Sequence, residues 1–243
     1  MPELLAFIIV MTEDNKTKNP AIDEMFKAGV QYGYSKSRRH PSAKDAILGV
    51  KNRVEIFNLE KTVELLEKAK SFVKTLAQDK KQILFVGGKN EARVAIKTTA
   101  EKLGMPYVAG RWIGGSLTNT SEMKRRIARL LDLVEKRDKG ELQKYTKKER
   151  LLFDREIDKL EKNFRGLVSL KGMPSAIFIV DPKFEKSALR EAIQQKVPII
   201  SLLNTDCNME DIDYPIPGND ATRASVEYFA KEIASAYEET TKS

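Results

Sequence analysis

The chain has 243 residues, of which 41% are apolar and 32% are charged. The apolar share excludes a wholly disordered chain. Lys and Arg number 43 against 35 Asp and Glu, and this net charge of +8 points to nucleic acid or an anionic membrane as the partner. The single cysteine (Cys207) and single histidine (His40) exclude an internal disulfide framework and argue against a Cys- or His-based metal site.

Residues 1–19 are predicted to form an N-terminal extension. Its apolar run, residues 4–11, is far shorter than the roughly 20 residues of a membrane span. Glu3 precedes the run where a secretory signal carries basic residues. The segment is consistent with docking on a partner or adding a strand, and equally with a tail that covers its own domain. The start is not the Arg- and Ser-rich, acid-poor stretch of an organelle-targeting peptide, so we expect a cytoplasmic rather than an organellar protein, and one that does not bind a membrane.

The next part of the chain predicts a short helix, a loop and a hairpin. Apolar residues recur at helical spacing over 20–30, and a polar, basic loop is predicted over 31–44. Two short β-type runs then flank residues 51–53, which predicts a β-hairpin. Asn58 is well placed to cap the helix that follows.

Two stretches have the alternating pattern of a parallel α/β sheet. The buried-type run 83–86 leads through a glycine turn into a helix, and the pattern resumes at 176–180 and 197–203. A proline-flanked run at 214–216 is typical of an edge strand, and a helix over 221–239 closes the chain. Together they predict an α/β domain over 20–117 and 166–239, with helices on both faces of the sheet.

Residues 118–165 interrupt this pattern with two charged helices. Each carries a narrow apolar stripe at heptad-like spacing, which predicts an antiparallel coiled-coil hairpin inserted in the α/β domain. Residues 138–140 are a turn signal between the helices, and Thr146 with Glu149 forms a capping box for the second helix.

Two glycine motifs have open interpretations. Gly87-Gly88-Lys89 follows a strand, but it lacks the spacing of known nucleotide loops, so it is either a tight turn or a place where Lys89 contacts a phosphate. In the motif 110–119, Arg111 suits phosphate binding and Asn119 precedes a helix. Trp112 either stacks on a nucleic-acid base or packs in the core, and the Gly114-Gly115 pair is either a point of close backbone approach or only a corner.

The strongest functional signal is a one-signed basic segment. Residues 27–53 contain seven Lys and Arg and one acid, Asp45, whereas a solvated surface normally mixes signs. A second basic cluster at the start of the hairpin is either a solvated face or a nucleic-acid contact. The predicted nucleic-acid-binding residues are Lys36, Arg38, Arg39, His40, Lys44, Lys51, Arg53, Lys89, Arg111, Trp112, Asn119, Lys124, Arg125 and Arg126.

Catalytic signals are poor. Asp206, Asp211 and Asp213 follow a strand end, where α/β enzymes place their chemistry, but no nucleophile–base pair accompanies them. Acids in such positions more often cap turns. We expect no enzyme, no cofactor and no metal. The alternatives are a nucleotide- or flavin-binding enzyme and a protein-binding adaptor that acts through the hairpin.

Several motifs resemble the bacterial type of the small-subunit ribosomal protein S-two family. They span residues 22–237 and occur in the family's order. The matching segments are 29–33, 56–62, 83–89, 111–119, 160–163, 174–191 and 213–220. The chain departs from the family at Tyr34, where a histidine is usual, and at His40, where a tryptophan is common.

The resemblance implies a flavodoxin-like, doubly wound α/β domain with a coiled-coil insertion. It implies a structural constituent of the small ribosomal subunit that contacts rRNA near the junction of head and body and joins late in assembly. Its partners would be small-subunit rRNA and neighbouring ribosomal proteins, among them the large protein that recruits mRNA. It implies neither catalysis nor a small-molecule substrate.

Overall fold

A computed structural model describes residues 20–242 of the protein, and the predictions for the N-terminal extension lie outside this range. The described elements, in chain order, are α1 (Pro20–Lys27), β1 (Tyr32–Ser35), β2 (Ile47–Lys51), β3 (Val54–Phe57), α2 (Leu59–Gln78), β4 (Ile83–Val86), α3 (Asn90–Leu103), β5 (Tyr107–Val108), α4 (Thr120–Asp138), α5 (Lys147–Phe164), β6 (Ala176–Val180), α6 (Lys186–Gln194), β7 (Ile199–Leu203), β8 (Tyr214–Pro217) and α7 (Arg223–Lys242).

Strands β4 to β8 form a parallel sheet of five strands in the order β5-β4-β6-β7-β8. Counted within this sheet the order is 2-1-3-4-5, which is that of a doubly wound sheet of the flavodoxin type. The predicted α/β class with a parallel sheet is therefore confirmed. The proline-flanked strand β8 lies at one edge, as its prolines predicted.

Alternate side chains of the central strands enter two separate cores. Phe85 and Phe178 belong to a core that α2, α3 and α7 cover. Leu84 and Ile177 belong to a core on the opposite face, covered by α4, α5 and α6. Both faces are buried because every position of these strands is apolar or small, the pattern of a central parallel strand.

A separate antiparallel sheet, in the order β1-β3-β2, contains the predicted hairpin. The prediction of a continuous loop over 31–44 is wrong, because β1 pairs with β3 and short 3-10 helices cover Lys36–Arg38 and Pro41–Ala46. The polar composition of β1 concealed this strand. It is stabilised by pairing with a strand about twenty residues later, which local periodicity does not record.

Helices α4 and α5 occupy the predicted insertion and pack against each other. Met123, Leu130, Ile157, Leu160 and Phe164, all from the two predicted stripes, are buried in the second core. Asn119 caps α4 by accepting from the Glu122 amide, and the capping box of Thr146 and Glu149 opens α5 as predicted. The start of α4 and the end of α5 are thereby fixed to the sheet.

Candidate nucleic-acid interface

Five cations of the basic segment point outward from the small sheet and its 3-10 helices. None of them forms an ion pair with a carboxylate of residues 20–242, and each is exposed. They are Lys36, Arg38, Lys44, Lys51 and Arg53. Arg38 lies over the ring of Tyr34, with its guanidinium carbon 5.3 Å from the ring centroid. The structure thus leaves an unneutralised positive surface here.

Arg53 occupies an unfavourable backbone conformation. The two residues of the hairpin turn, Asn52 and Arg53, have φ of 50° and 66°, and Lys51 pairs with Val54. Positive φ at both central positions defines a type I′ turn, whose second position strongly favours glycine. A side chain in this region costs about 1 kcal/mol. The turn therefore holds an exposed arginine at the tip of the hairpin at a cost in stability.

Arg39 and His40, the two residues that follow Arg38, have internal roles. The Arg39 guanidinium lies 3.2 Å from the Glu55 carboxylate, whose side chain is fully buried. Removing this guanidinium would leave a buried charge without a counter-ion. His40 caps the second 3-10 helix, since its Nδ1 lies 3.3 Å from the Ser42 amide. No local sequence pattern indicates that neighbouring basic residues differ in this way, because the partner Glu55 comes 16 positions later.

The motif 110–119 is held by the carboxylate of Glu191 on α6. Glu191 accepts five hydrogen bonds: from the Trp112 indole, the amides of Gly115, Leu117 and Thr118, and the Thr118 hydroxyl. Burial alone would raise the pKa of Glu191, but these hydrogen bonds outweigh it and the pKa is lowered. Sequence analysis missed Glu191, because a glutamate on a surface helix has no distinguishing pattern.

Trp112 therefore lies in the core and is not available to stack on a base. It is 6% exposed and belongs to the second core, and its one polar atom bonds Glu191. Arg111 beside it is exposed. Gly115 has φ of 93°, which an L side chain rarely adopts, while a side chain at Gly114 would meet open space. Of the two predicted glycines, only Gly115 is required by the backbone here.

At the start of α4, the cations Lys124, Arg125 and Arg126 are all exposed. Arg125 and Arg126 both pair with Glu122, at 2.7 and 2.8 Å. These are surface pairs within one helix and are weak, so they leave the arginines available to a stronger partner. The cluster therefore extends the positive surface toward the insertion.

Lys89 lies at the carboxyl edge of the parallel sheet, in a closed ionic cluster. Its ammonium is 3.0 Å from Asp181, 3.0 Å from Asp220 and 3.3 Å from the Tyr34 hydroxyl. Burial, followed by repulsion from Asp181, raises the pKa of Asp220 to about 6. Burial alone would lower the pKa of Lys89, but the attraction of Asp220 and Asp181 outweighs burial, so the pKa is raised. All three ammonium protons have partners within the chain, so Lys89 has none left to donate to a phosphate.

The glycine turn before Lys89 binds an anion supplied by the chain itself. The Gly88 amide donates to Glu185 at 2.8 Å, and a side chain on Gly88 would collide with that carboxylate and with the Gly110 carbonyl. Burial raises the pKa of Glu185. A carboxylate thus occupies the place where a nucleotide phosphate would lie in a binding turn.

The acids that follow β7 also have structural partners. Asp206 pairs with Lys183 at 2.7 Å, Asp211 accepts from Asn208 at 2.9 Å, and Asp213 accepts from the Ile199 amide at 2.8 Å. These are turn and strand contacts, in agreement with the simpler interpretation of the sequence. Over residues 20–242, no cluster of three or more His, Cys, Asp or Glu side chains is arranged to hold a metal ion.

The family model described as Ribosomal protein S2 matches residues 25–240. The chain belongs to this family. The match covers the α/β body and both helices of the insertion, so the ribosomal protein S2 family accounts for nearly the whole chain. Membership makes the protein a structural constituent of the small ribosomal subunit, with a role in translation, and rRNA binding is typical of the family. In the described part of the chain, no helix is both long and apolar enough to cross a bilayer.

Proposed function

We propose that this member of the ribosomal protein S2 family binds small-subunit rRNA without catalysis, through the positive surface of Lys36, Arg38, Lys44, Lys51 and Arg53. The observation that carries the proposal is that these five exposed cations lack carboxylate partners within residues 20–242, although most lysines on the neighbouring helix α2 have them. Arg111 and the cluster Lys124, Arg125 and Arg126 extend the surface.

Phosphate neutralisation supplies the affinity. Each lysine or arginine that contacts a phosphate releases condensed counterions, so binding weakens as the salt concentration rises. Specificity comes from shape, because rRNA helices are recognised mainly through their backbone and minor groove. Two features of the protein can fit the surface of an rRNA helix: the hairpin tip at Arg53, and the motif 110–119, which Glu191 holds in place.

The family resemblance supports a proposed position on the subunit. We propose contact near the junction of head and body, late entry into assembly, and a coiled-coil geometry for α4 and α5 as a hairpin projecting from the body. The corresponding domain division is 20–117 with 166–239 for the body and 118–165 for the insertion. Its support is the two buried stripes of α4 and α5.

A second role, contact with neighbouring ribosomal proteins, is favoured by apolar side chains on the insertion. Leu131, Leu151 and Leu152 are 49%, 49% and 54% exposed. Leu151 and Leu152 are adjacent, and contiguous exposed apolar side chains mark protein-interaction sites more often than isolated ones do. Such contacts would resist salt and nuclease, whereas the RNA contacts would not.

A sedimentation experiment tests the RNA proposal. The variant K36E/R38E should lose co-sedimentation with small subunits depleted of this protein, at a salt concentration where wild type still binds. The control K68E/K231E makes the same change in charge at exposed lysines of α2 and α7, each paired with a glutamate of its own helix. If both variants bind like wild type, the positive surface is not the interface.

A further inference from the structure

A cleft that shares only Arg111 with the proposed interface opens at the base of the insertion. The end of α5 and the turn after it form one wall, and the edge strand β5 with residues 109–111 forms the other. Four cations line it: Lys97, Arg111, Lys162 and Arg165. Two carboxylates, Asp158 and Glu161, also line it. The cleft is therefore net positive but has acceptors as well.

Three of the four cations of the cleft have no internal counter-ion. Arg111, Lys162 and Arg165 are exposed and form no ion pair with a carboxylate of residues 20–242. Lys97 forms only a long, exposed pair with Glu101, at 4.0 Å. A cleft that gathers three unpaired cations and one weakly paired lysine suits a ligand that brings its own negative charge.

Both walls of the cleft are held in place by close packing. A side chain at Gly166 would overlap the Tyr107 carbonyl and ring, so the turn after α5 lies directly against β5. The Tyr107 hydroxyl donates to Glu101 at 2.7 Å, and Arg111 precedes Trp112, which Glu191 anchors. The cations are consequently presented from a rigid framework, which reduces the entropy lost on binding.

We propose that this cleft is a second RNA site, in which Arg111, Lys162 and Arg165 contact backbone phosphates while Asp158 and Glu161 accept from 2′-hydroxyl or base amino groups. The mixture suits RNA, because a polynucleotide presents several phosphates together with 2′-hydroxyl and base amino donors. The inference rests on the proposed function and extends it. The small sheet, which carries the first site, contacts Thr205 directly after β7. Strand β7 is three strand spacings, or roughly 14 Å, from β5, which lines the cleft. One folded RNA can therefore reach both sites.

Tethered radical probing tests the site directly. The native Cys207 is buried at 2% exposure, so an introduced surface cysteine can be labelled selectively with an iron chelate that cleaves nearby RNA. The probe is attached at one of three introduced cysteines: Lys162→Cys in the cleft, Arg38→Cys in the positive surface, or Lys68→Cys on α2 as a control. With depleted small subunits as the target, we expect rRNA scission from positions 162 and 38 but not from 68.

The pattern of scission tests the cleft and the proposed function separately. Scission from position 38 without scission from 162 would overturn the cleft and leave the proposed function standing. Absence of scission from both positions, in particles that contain the protein, would overturn both. Equal scission from 68 and 162 would overturn the cleft as a specific site.

A binding measurement distinguishes RNA from small anions. The variant K162Q/R165Q should reduce the slope of log K against log salt for subunit binding by about 2, one for each lost phosphate contact. K68Q/K231Q should leave the slope unchanged. An unchanged slope for K162Q/R165Q would contradict the proposal, and so would saturable binding of inorganic phosphate or ATP by the isolated protein that this variant abolishes.

Discussion

The indole Nε1 of Trp112 lies 3.0 Å from a carboxylate oxygen of Glu191, a residue 79 positions later in the chain. The same carboxylate accepts from the backbone of Gly115 and Leu117. A single side chain on α6 therefore determines the path by which the chain leaves the parallel sheet and enters α4. The exposed Arg111 and the start of the insertion depend on this contact for their positions.

Replacing Glu191 with alanine should destabilise the protein by about 2–3 kcal/mol, because several donors lose their acceptor at once. Trp112 is the only tryptophan, so its fluorescence reports the loop specifically. We expect a red-shifted emission and a lower denaturation midpoint.

The conservative variant E191Q keeps an oxygen acceptor and should retain part of the stability. Since the pKa of Glu191 is lowered in the folded protein, its ionised form stabilises the fold above the unfolded-state pKa, and this contribution is lost as pH falls through the folded pKa. The difference between wild type and E191Q should therefore shrink in acid. An unchanged spectrum and midpoint in E191A would show that the loop does not need this carboxylate.

Replacing Lys89 with methionine should cost about 3–5 kcal/mol at neutral pH, because Asp181 and Asp220 then face each other without a cation. The pKa of Asp220 is already raised to about 6 in the wild-type fold. Removing the ammonium raises it further, so the folded variant binds protons that its unfolded chain does not. The stability of K89M should consequently increase as pH is lowered from 7 toward 5, and chemical denaturation at several pH values measures this.

The matched control is K183M, which removes a lysine that pairs with Asp206 at 2.7 Å but is 48% exposed. An exposed pair of this kind contributes up to about 1 kcal/mol. Equal losses in K89M and K183M, or a loss in K89M that is independent of pH, would contradict the closed ionic cluster.

The adjacent residues Arg38 and Arg39 should separate binding from stability. R38Q removes an exposed cation and should weaken subunit binding without changing the melting temperature. R39Q leaves the fully buried Glu55 without its guanidinium and should lower the melting temperature. Thermal melts and co-sedimentation of the two variants give the comparison, and identical behaviour of the pair would show that Glu55 does not distinguish them.

The side chain of Arg53 should lower the stability of the protein while it strengthens binding to the subunit. R53G relieves the positive φ of 66° and should stabilise the protein by about 1 kcal/mol. The same change should weaken binding and lower its salt slope by about 1, because one phosphate contact is lost. R53K keeps both the charge and the strain, and should match wild type in both assays. Stabilisation of R53G without weaker binding would remove Arg53 from the interface.

The sequence by itself determined the elements whose signals are local. The parallel strands read as continuous apolar runs, the insertion as two stripes at helical spacing, and the caps at Asn58 and Thr146 as short motifs. Each of these depends on residues within one or two turns of the chain. The one-signed charge of residues 27–53 was likewise visible without a structure, as was the family resemblance.

Only the tertiary structure decided which polar residues are free to bind. Arg38 and Arg39 are equivalent in sequence, yet only Arg39 has a buried carboxylate within reach, on β3. Lys89 and Trp112 are candidates for RNA contact by sequence, but in the fold Asp181 and Asp220 pair with Lys89, and Glu191 accepts from Trp112. These partners come from distant parts of the chain. Charge and hydrogen-bond pairing depend on distance in space, which the order of residues does not record.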